Sequence, residues 1–313
     1  CDDYQTLTSI NGAPIYYPNH LLGLYSTFIA PHFSTMTVEQ AEHRGTMENR
    51  VGGLVNVETQ HLQPLRFGVE GNIGLISSDA TLTIPCGKKS ALWLSGRASY
   101  INMLYGKWLQ VQGVGLGYNF WDTNLTYAIH PTENDEIVIT GFFSRDNINV
   151  ADSLTFGVGI HWHNIVGSAY WNHRLNGGNW RTSISYSRFD NHISVNALAT
   201  DVYTDAGWSS LDIKNRLSKR LRHDIMLNVS ADYTHYFYQP LQFSSTGGIG
   251  VMELPQPKPQ RHGDEASVGV DLRHGVNEWF AYNVGLHGSI FHSNQLFFGC
   301  DPRITFQFTP AEN

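Results

Sequence analysis

The side chains that first invite a chemical reading are histidines, fifteen of them in 313 residues. His161-Trp162-His163 sets two imidazoles on one face of an extended strand, since side chains alternate with period two. Such a pair holds Zn²⁺ only with a third or fourth ligand. The remaining histidines, among them His20, His32, His43, His130, His173, His235, His262 and His287, are scattered, so no metal site is expected. Glu133, Asp135 and Glu136 read as a solvated hairpin tip. Gly113-Val114-Gly115-Leu116-Gly117 lacks the GxGxxG spacing and opens a strand, not a helix, so no nucleotide is implied. Serines and histidines are too many for their presence to mark a nucleophile and its base. Cys1, Cys86 and Cys300 are far apart and odd in number, which excludes a disulfide framework and a CxxC metal site. Neither an enzyme nor a cofactor is predicted.

The elements that carry these residues are strands. Twenty Lys+Arg against 27 Asp+Glu give a formal charge of −7, without the clustered basic excess that tracks phosphates, so nucleic acid is not an expected partner. No run of about 18 apolar residues forms a membrane helix. The chain is 41% hydrophobic and 12% aromatic, with 30 glycines, enough to fold and suited to an all-β protein. From about Arg66 onward, alternating runs follow one another: Ile225, Leu227, Val229, Ala231 and Tyr233 against Asn228, Ser230, Asp232 and Thr234; Val268, Val270 and Leu272 against Ser267, Asp271 and Arg273; Ile304, Phe306 and Phe308 against Arg303, Thr305 and Gln307. Few segments show a 3.6-residue period, so helix should be minor.

Connections alternate in length. Short turns are expected near residues 85–90, 131–135, 175–179, 219–222 and 274–277. Longer polar segments are expected near 105–113, 145–152, 190–204, 240–264 and 293–295, with Pro255, Pro257 and Pro259 in the longest. A membrane barrel with tight turns at one end and loops at the other fits this asymmetry. Aromatics near strand ends (Tyr100, Trp108, Tyr118, Phe120, Trp180, Tyr236, Phe237, Tyr238) fit it too, as headgroup-level rings. A soluble β-sandwich that hides its apolar faces in a core produces the same alternation within one strand. In that alternative the chain is a surface-anchored glycan-binding or adhesion module, with Cys1 as lipid anchor.

Residues 1–62 lack the hairpin rhythm. Asn11-Gly12-Ala13-Pro14 reads as a turn, Leu21 to Phe28 as a candidate helix, and Gly52-Gly53-Leu54-Val55-Asn56-Val57 as a strand entered through glycines able to take positive φ. The succession of Asn11-Gly12-Ala13-Pro14-Ile15-Tyr16, Pro18 to Phe28, Arg44-Gly45 and Gly52 to Thr59 resembles the C-terminal half of the plug of TonB-dependent outer-membrane receptors. It is most similar to the Bacteroidetes-type branch in which a carboxypeptidase-regulatory-like domain precedes the plug. Asn11-Gly12-Ala13-Pro14 matches the family's DG-x-P turn with Asn in place of the usual Asp, Arg44-Gly45 its RG, and Gly52-Gly53 to Asn56 its GG-x-x-N strand. Gly68 to Leu82 resembles the first barrel strand, and Trp171-Asn172-His173, Ser185 to Phe189 and Asp301-Pro302-Arg303-Ile304 resemble later ones.

The resemblance implies an antiparallel transmembrane β-barrel preceded by part of a small α+β plug. Residues 1–62 would be the C-terminal part of the plug and 63–313 the N-terminal half of the barrel. About eleven strands are expected, half of the 22 in a plugged transporter. The chain would then be a partial receptor, a truncated one, or one half of a split one, because bare sheet edges are untenable in lipid. The implied function is active uptake of a scarce siderophore, vitamin, peptide or glycan across the bacterial outer membrane. The implied partners are the TonB energy-transducing complex, outer-membrane lipids and a substrate-binding lipoprotein. Tyr16, Tyr17, Asn19 and His20 become candidate ligand residues at the plug apex. Asn11, Gly12, Pro14, Arg44, Gly45, Gly52, Gly53 and Asn56 become structural plug residues, with Arg97, Asp122, Lys214, Arg216 and Arg303 bonding plug to wall.

Overall fold

The computed structural model describes residues 6–39, 53–111, 113–152, 156–197, 200–222, 224–247 and 257–309. Arg44, Gly45 and Gly52 lie outside the described residues. The first strands are β1 (Thr6–Ile10), β2 (Ala13–Ile15), β3 (Asn19–His20), β4 (Tyr25–Ser26), β5 (Phe33–Glu39) and β6 (Gly53–Thr59). Four of them form a sheet in the order β2-β1-β6-β5, with β1 and β6 parallel, while β3 and β4 pair separately. Asn11 and Gly12 both take positive φ, 52° and 86°, in the two-residue turn that pairs Ile10 with Ala13. Gly and Asn are the residues that tolerate this geometry. Gly53 enters β6 at φ 122°, as its glycine run predicts. The helix expected over Leu21–Phe28 is instead a single 3-10 turn, Leu21–Gly23, followed by β4. Leu21 and Gly23 have φ of 50° and 101°, which stops propagation after one turn.

The rest is one antiparallel meander: β7 (Gly68–Ile73), β8 (Ser77–Pro85), β9 (Ser90–Ser99), a five-residue helix α1 (Ile101–Tyr105), β10 (Gln110–Val111), β11 (Val114–Ile129), β12 (Asp135–Asp152), β13 (Phe156–Leu175), β14 (Gly178–Ala197), β15 (Thr200–Arg222), β16 (Ile225–Gly247), β17 (Arg261–Asn277), β18 (Phe280–His292) and β19 (Leu296–Phe308). Twelve strands make the main path from β7 to β19, with β10 added beside β11. The expected count of about eleven is low by one because Gly68–Leu82, read as one strand, is two. Gly74 N–H donates to Ser77 O at 3.0 Å and turns the chain between β7 and β8.

The wall has an apolar outer face. Leu125, Ile139, Ile184, Ile213, Val268 and Ile304 alternate with inward polar residues and remain between 40% and 65% exposed. A sandwich would have buried these faces against a second sheet; here nothing covers them. Inward neighbours such as Thr126, Thr140, Ser144, Asn164, Ser187 and Ser210 are buried under the small sheet or against one another. Outward rings ring the short-turn end, where Trp171 lies 5.6 Å from Trp180 and donates Nε1–H to Asp135 at 2.9 Å. Toward the other end Trp121 stacks on Phe143 at 4.6 Å. Tyr118 and Phe120, expected at headgroup level, are inward and buried, because even-numbered positions of β11 face the lumen.

Strands run farther than their apolar alternation. The polar segments 145–152 and 190–204, expected as loops, continue as strand: β12 reaches Asp152, β14 reaches Ala197 and β15 starts at Thr200. Ladder bonds join backbone groups, so pairing does not stop where side chains turn polar. Asn11 ties the small sheet to this wall. Its side-chain amide donates to Thr59 Oγ1 and to Thr140 Oγ1 of β12, both at 2.9 Å, and its Oδ1 accepts from Thr59 N–H. Asn56 Oδ1 accepts from Ser9 and from Gly12 N–H, locking the turn. An aspartate at position 11 has no N–H to give.

Two predictions follow from these placements. Asn11→Asp should lower the small sheet's protection against amide hydrogen exchange by about 1–3 kcal/mol, the range for unpaired buried partners; unaltered exchange in β1 and β6 would contradict the role given to its two donated bonds. Ile213→Arg, in the middle of the outer band, should cost about 2–4 kcal/mol in reversible folding into bilayers, whereas Asn149→Arg at the polar end should cost about 0–1. Equal costs would place the band wrongly.

Candidate functional site

The site is the contact between the small sheet and the wall, together with the aromatic surface above it. His20 follows the Pro18-Asn19 bend and is the second residue of the β3 pair, so its ring leaves the plug and enters the wall. Nε2 lies 2.8 Å from Asp122 Oδ1 on β11, and Nδ1 lies 2.8 Å from Asp146 Oδ2 on β12. The imidazole is fully buried and stacks on Phe120 at 4.1 Å. Arg97 of β9 donates Nε–H to the other Asp122 oxygen at 2.7 Å and reaches Ser26 O of the plug at 2.7 Å. Its guanidinium also lies over the rings of Tyr25 and Phe120, at 4.9 and 5.4 Å from their centroids. Tyr118 donates its hydroxyl hydrogen to Asp146 and accepts from Leu21 N–H. Burial by itself would lower the His20 pKa, but the hydrogen bonds and charges of Asp122 and Asp146 outweigh it and raise the pKa above 6.5. The protonated ring donates from both nitrogens. Imidazolium and guanidinium then balance two carboxylates.

His32 is the opposite case. It is also fully buried, but its partners are neutral hydroxyls, Ser95 Oγ at 2.7 Å and Thr126 Oγ1 at 2.8 Å. Burial without a counter-charge lowers its pKa to about 4. Further bonds tie the sheet to the wall. Lys214 Nζ–H donates to Gly12 O at 2.9 Å, and Arg181 reaches Glu58 at 3.0 Å and Asn11 O at 3.2 Å while lying 3.7 Å over Tyr170. Arg216 pairs with Asp232 of the adjacent strand. Apolar contact is concentrated where Ile10, Ala13 and Ile15 meet Phe142 and Val166.

Of the four candidate apex residues, Tyr16 and Tyr17 stand together against the wall. Tyr16 donates to Ser210 Oγ at 2.7 Å and sets its edge on Trp208 at 5.6 Å. Tyr17 exchanges backbone bonds with the Asn164 amide and sets its ring on Trp162 and Phe189. Asn19, half-buried, pairs with Ser26 through β3 and β4. His20 is corrected. With no exposed surface and both nitrogens on carboxylates, it clasps the wall and has nothing left for a ligand. His161 and His163 face outward at the far end of β13, on Asn147 at 2.8 Å and Asp190 at 3.1 Å. Among the described residues no group of three or more His, Cys, Asp or Glu is arranged to hold a metal.

No protein-family model matches the sequence, and no curated protein matches it. Solved structures do. The chain is similar to the siderophore receptor PirA of Acinetobacter baumannii at TM-score 0.66 and 11% identity, over 99% of this chain and 52% of that one. It is similar to a mutant of the ferric enterobactin receptor PfeA of Pseudomonas aeruginosa, solved with enterobactin, at TM-score 0.69 and 13% identity, over 97% and 52%. It is similar to the copper transporter OprC at TM-score 0.69 and 10% identity, over 98% and 53%. The fold is that of a TonB-dependent receptor. The chain spans about half the length of the receptors it matches.

The clasp makes plug docking pH-dependent. His20 has a raised pKa, so its contribution is complete below about 6.5 and is lost as pH rises through the folded value. His32 has a lowered pKa, so its contribution is complete above about 6.5 and is lost as pH falls toward about 4. Hydrogen exchange of plug amides from pH 4 to 9 should show both limbs. His20→Gln should remove the alkaline one and lower protection by about 3 kcal/mol, because two buried carboxylates lose a partner. His32→Gln should remove only the acid one. A profile unchanged by either substitution would refute the assignment.

Proposed function

We propose that this chain is the plug-bearing part of a receptor that takes up a scarce ligand across the bacterial outer membrane, with energy delivered by TonB. Residues 1–62 belong to the plug and 63–313 to the wall. The observation that supports the reading is the inverted pattern of the wall: apolar residues outward, polar residues inward, and the inward face occupied by a separate sheet held mainly by hydrogen bonds and ion pairs. Hydrocarbon covers the outer band and the plug closes the lumen. Tyr16, Tyr17 and Asn19 are the plug's contribution to the ligand surface, and His20 and Arg97 hold that surface in place. Enterobactin and copper are cargo of proteins with the same fold, and neither is assigned to this chain.

The test uses the whole receptor in its own membrane. It should be extracted only by detergent, show heat-modifiable gel migration, and support ligand import that stops when TonB is deleted or the proton gradient is collapsed. Recovery in buffer without detergent, or import indifferent to TonB, would end the reading.

A further inference from the structure

Toward the long-loop end of β12–β15 the two faces of the wall exchange character. Near mid-wall the inward side is polar and meets the plug. Beyond the level of Asp146 the inward cross-strand row is Leu116, Val150, Val158, Val195 and Val202. The adjacent inward row joins Tyr118, Ile148, Ile160, Ile193 and Thr204. Outward positions at the same level are the polar ones: Arg145, His163 and Asp190 in one row, and Asn147, His161, His192 and Asp205 in the next. Arg188 adds two bonds to Asp190 at 2.6 and 2.9 Å. Between Asp146 and Asp152, which share the inward parity of β12, the inward side chains of β12 (148 and 150), β13 (158 to 162), β14 (191 to 195) and β15 (202 to 206) carry no charge.

Above the hydrocarbon band both faces of a strand meet water or polar headgroups, so nothing in the bilayer calls for inward valine and isoleucine there. Apolar area left against water costs roughly 25 cal/mol per Å². The floor of this chamber continues the same chemistry. Ile148 and Ile160 pack on the cluster of Tyr118, Phe120, Trp162 and Phe189, as do Tyr16, Tyr17 and, from the β9–β11 connection, Tyr105 and Leu109. Tyr16 OH is bonded to Ser210 and the Tyr17 backbone to Asn164, and both rings lie against the wall aromatics Trp208, Trp162 and Phe189. Trp208 remains 38% exposed beside them.

We propose that this chamber binds an uncharged ligand through an apolar or aromatic face of that ligand. The inference rests on the import reading and names its substrate class for this side of the lumen. Specificity comes from the aliphatic rows and the ring floor, which offer no counter-charge to an anion or a cation.

The experiment is carried out on the full receptor in outer-membrane vesicles, with Cys1, Cys86 and Cys300 replaced by serine and Ile193→Cys added. Its reaction rates with neutral N-phenylmaleimide and with a sulfonated maleimide are compared, each normalised to the urea-unfolded receptor. Heat-modifiable migration verifies that each variant is folded. The normalised ratio should favour the neutral aromatic reagent by about tenfold, the partition of one phenyl ring out of water. Adding Val158→Asp should bring it back toward one. A ratio near one, a preference for the sulfonate, or no reaction with either reagent in the folded receptor would overturn the proposal, the last because the chain itself would cover the site. TonB-dependent import measured in the same strains separates the two readings. Intact import with an indifferent ratio removes only the chamber's selectivity, and a tenfold ratio without import removes the transport reading while the selectivity stands.

Discussion

A wall one strand thick has no interior, and the molecule is organised by that constraint. Every backbone N–H and C=O in contact with hydrocarbon must be paired along the ladder, and every side chain must face either lipid or lumen. The outward half of each alternation is therefore fixed as apolar. The inward half is free to be polar only if something polar meets it. Thr126, Ser144, Asn164, Asp122 and Asp146 have no partners in lipid; they find them in His32, Tyr17 and His20, on the connections beside the small sheet, or in one another. The plug is thus the polar filling that makes the inner face of the wall energetically acceptable, and the wall in turn satisfies turns of the plug that have no helix or complete sheet of their own.

The kind of contact matters as much as its presence. Buried ion pairs contribute little net stability, because desolvating both charges offsets most of their attraction, yet removing one member leaves the other stranded. The group formed by His20, Asp122, Asp146 and Arg97 is charge-balanced and uses three wall strands, so it fixes position more than it adds stability. Hydrogen bonds of this sort exchange with water at small net cost. The apolar seam of Ile10, Ala13 and Ile15 on Phe142 and Val166 does not, since separation exposes it. A small sheet held by a few apolar side chains and many polar ones is firmly registered and comparatively inexpensive to hydrate.

Much of this was readable from sequence, and the misses have a common cause. The alternation of Ile225 to Thr234 or Val268 to Arg273 identified strands because it is a local property of one strand. The Asn11-Gly12 turn was legible for the same reason: two adjacent residues suited to positive φ. Strand ends were misplaced in 145–152 and 190–204 because side-chain polarity changes there while the backbone ladder continues. The residue types of Tyr118 and Phe120 suit the membrane surface, but their parity along β11, shared with Asp122 and Asn124, turns them inward. Local sequence offers His20 as a ligand residue, since a histidine close to two tyrosines at an apex looks available. Its real partners lie 102 and 126 positions away, each on a different strand, and no local spacing joins them. The signal that bears on it is an inward-parity aspartate on each of two neighbouring strands, which demands a cation from outside the wall.

The exchange of faces along β12–β15 gives that parity argument its widest reach. A strand that crosses from hydrocarbon into an aqueous zone can change its outward residues from apolar to polar with no change of backbone, and Phe143 giving way to Arg145 and Asn147 marks the crossing on β12. Were solvation the only influence, the inward residues would stay polar past that point, since water fills the lumen mouth. They become Ile148 and Val150, and the same substitution recurs in register on β13 and β14. Three neighbouring strands changing both faces at one level is a cooperative feature of the wall and not the accident of one hairpin. The outer change follows the edge of the apolar band; the inner change sets Ile148 and Ile160 on the ring cluster of Tyr118, Phe120, Trp162 and Phe189 and leaves the valine row beyond them for the ligand proposed above.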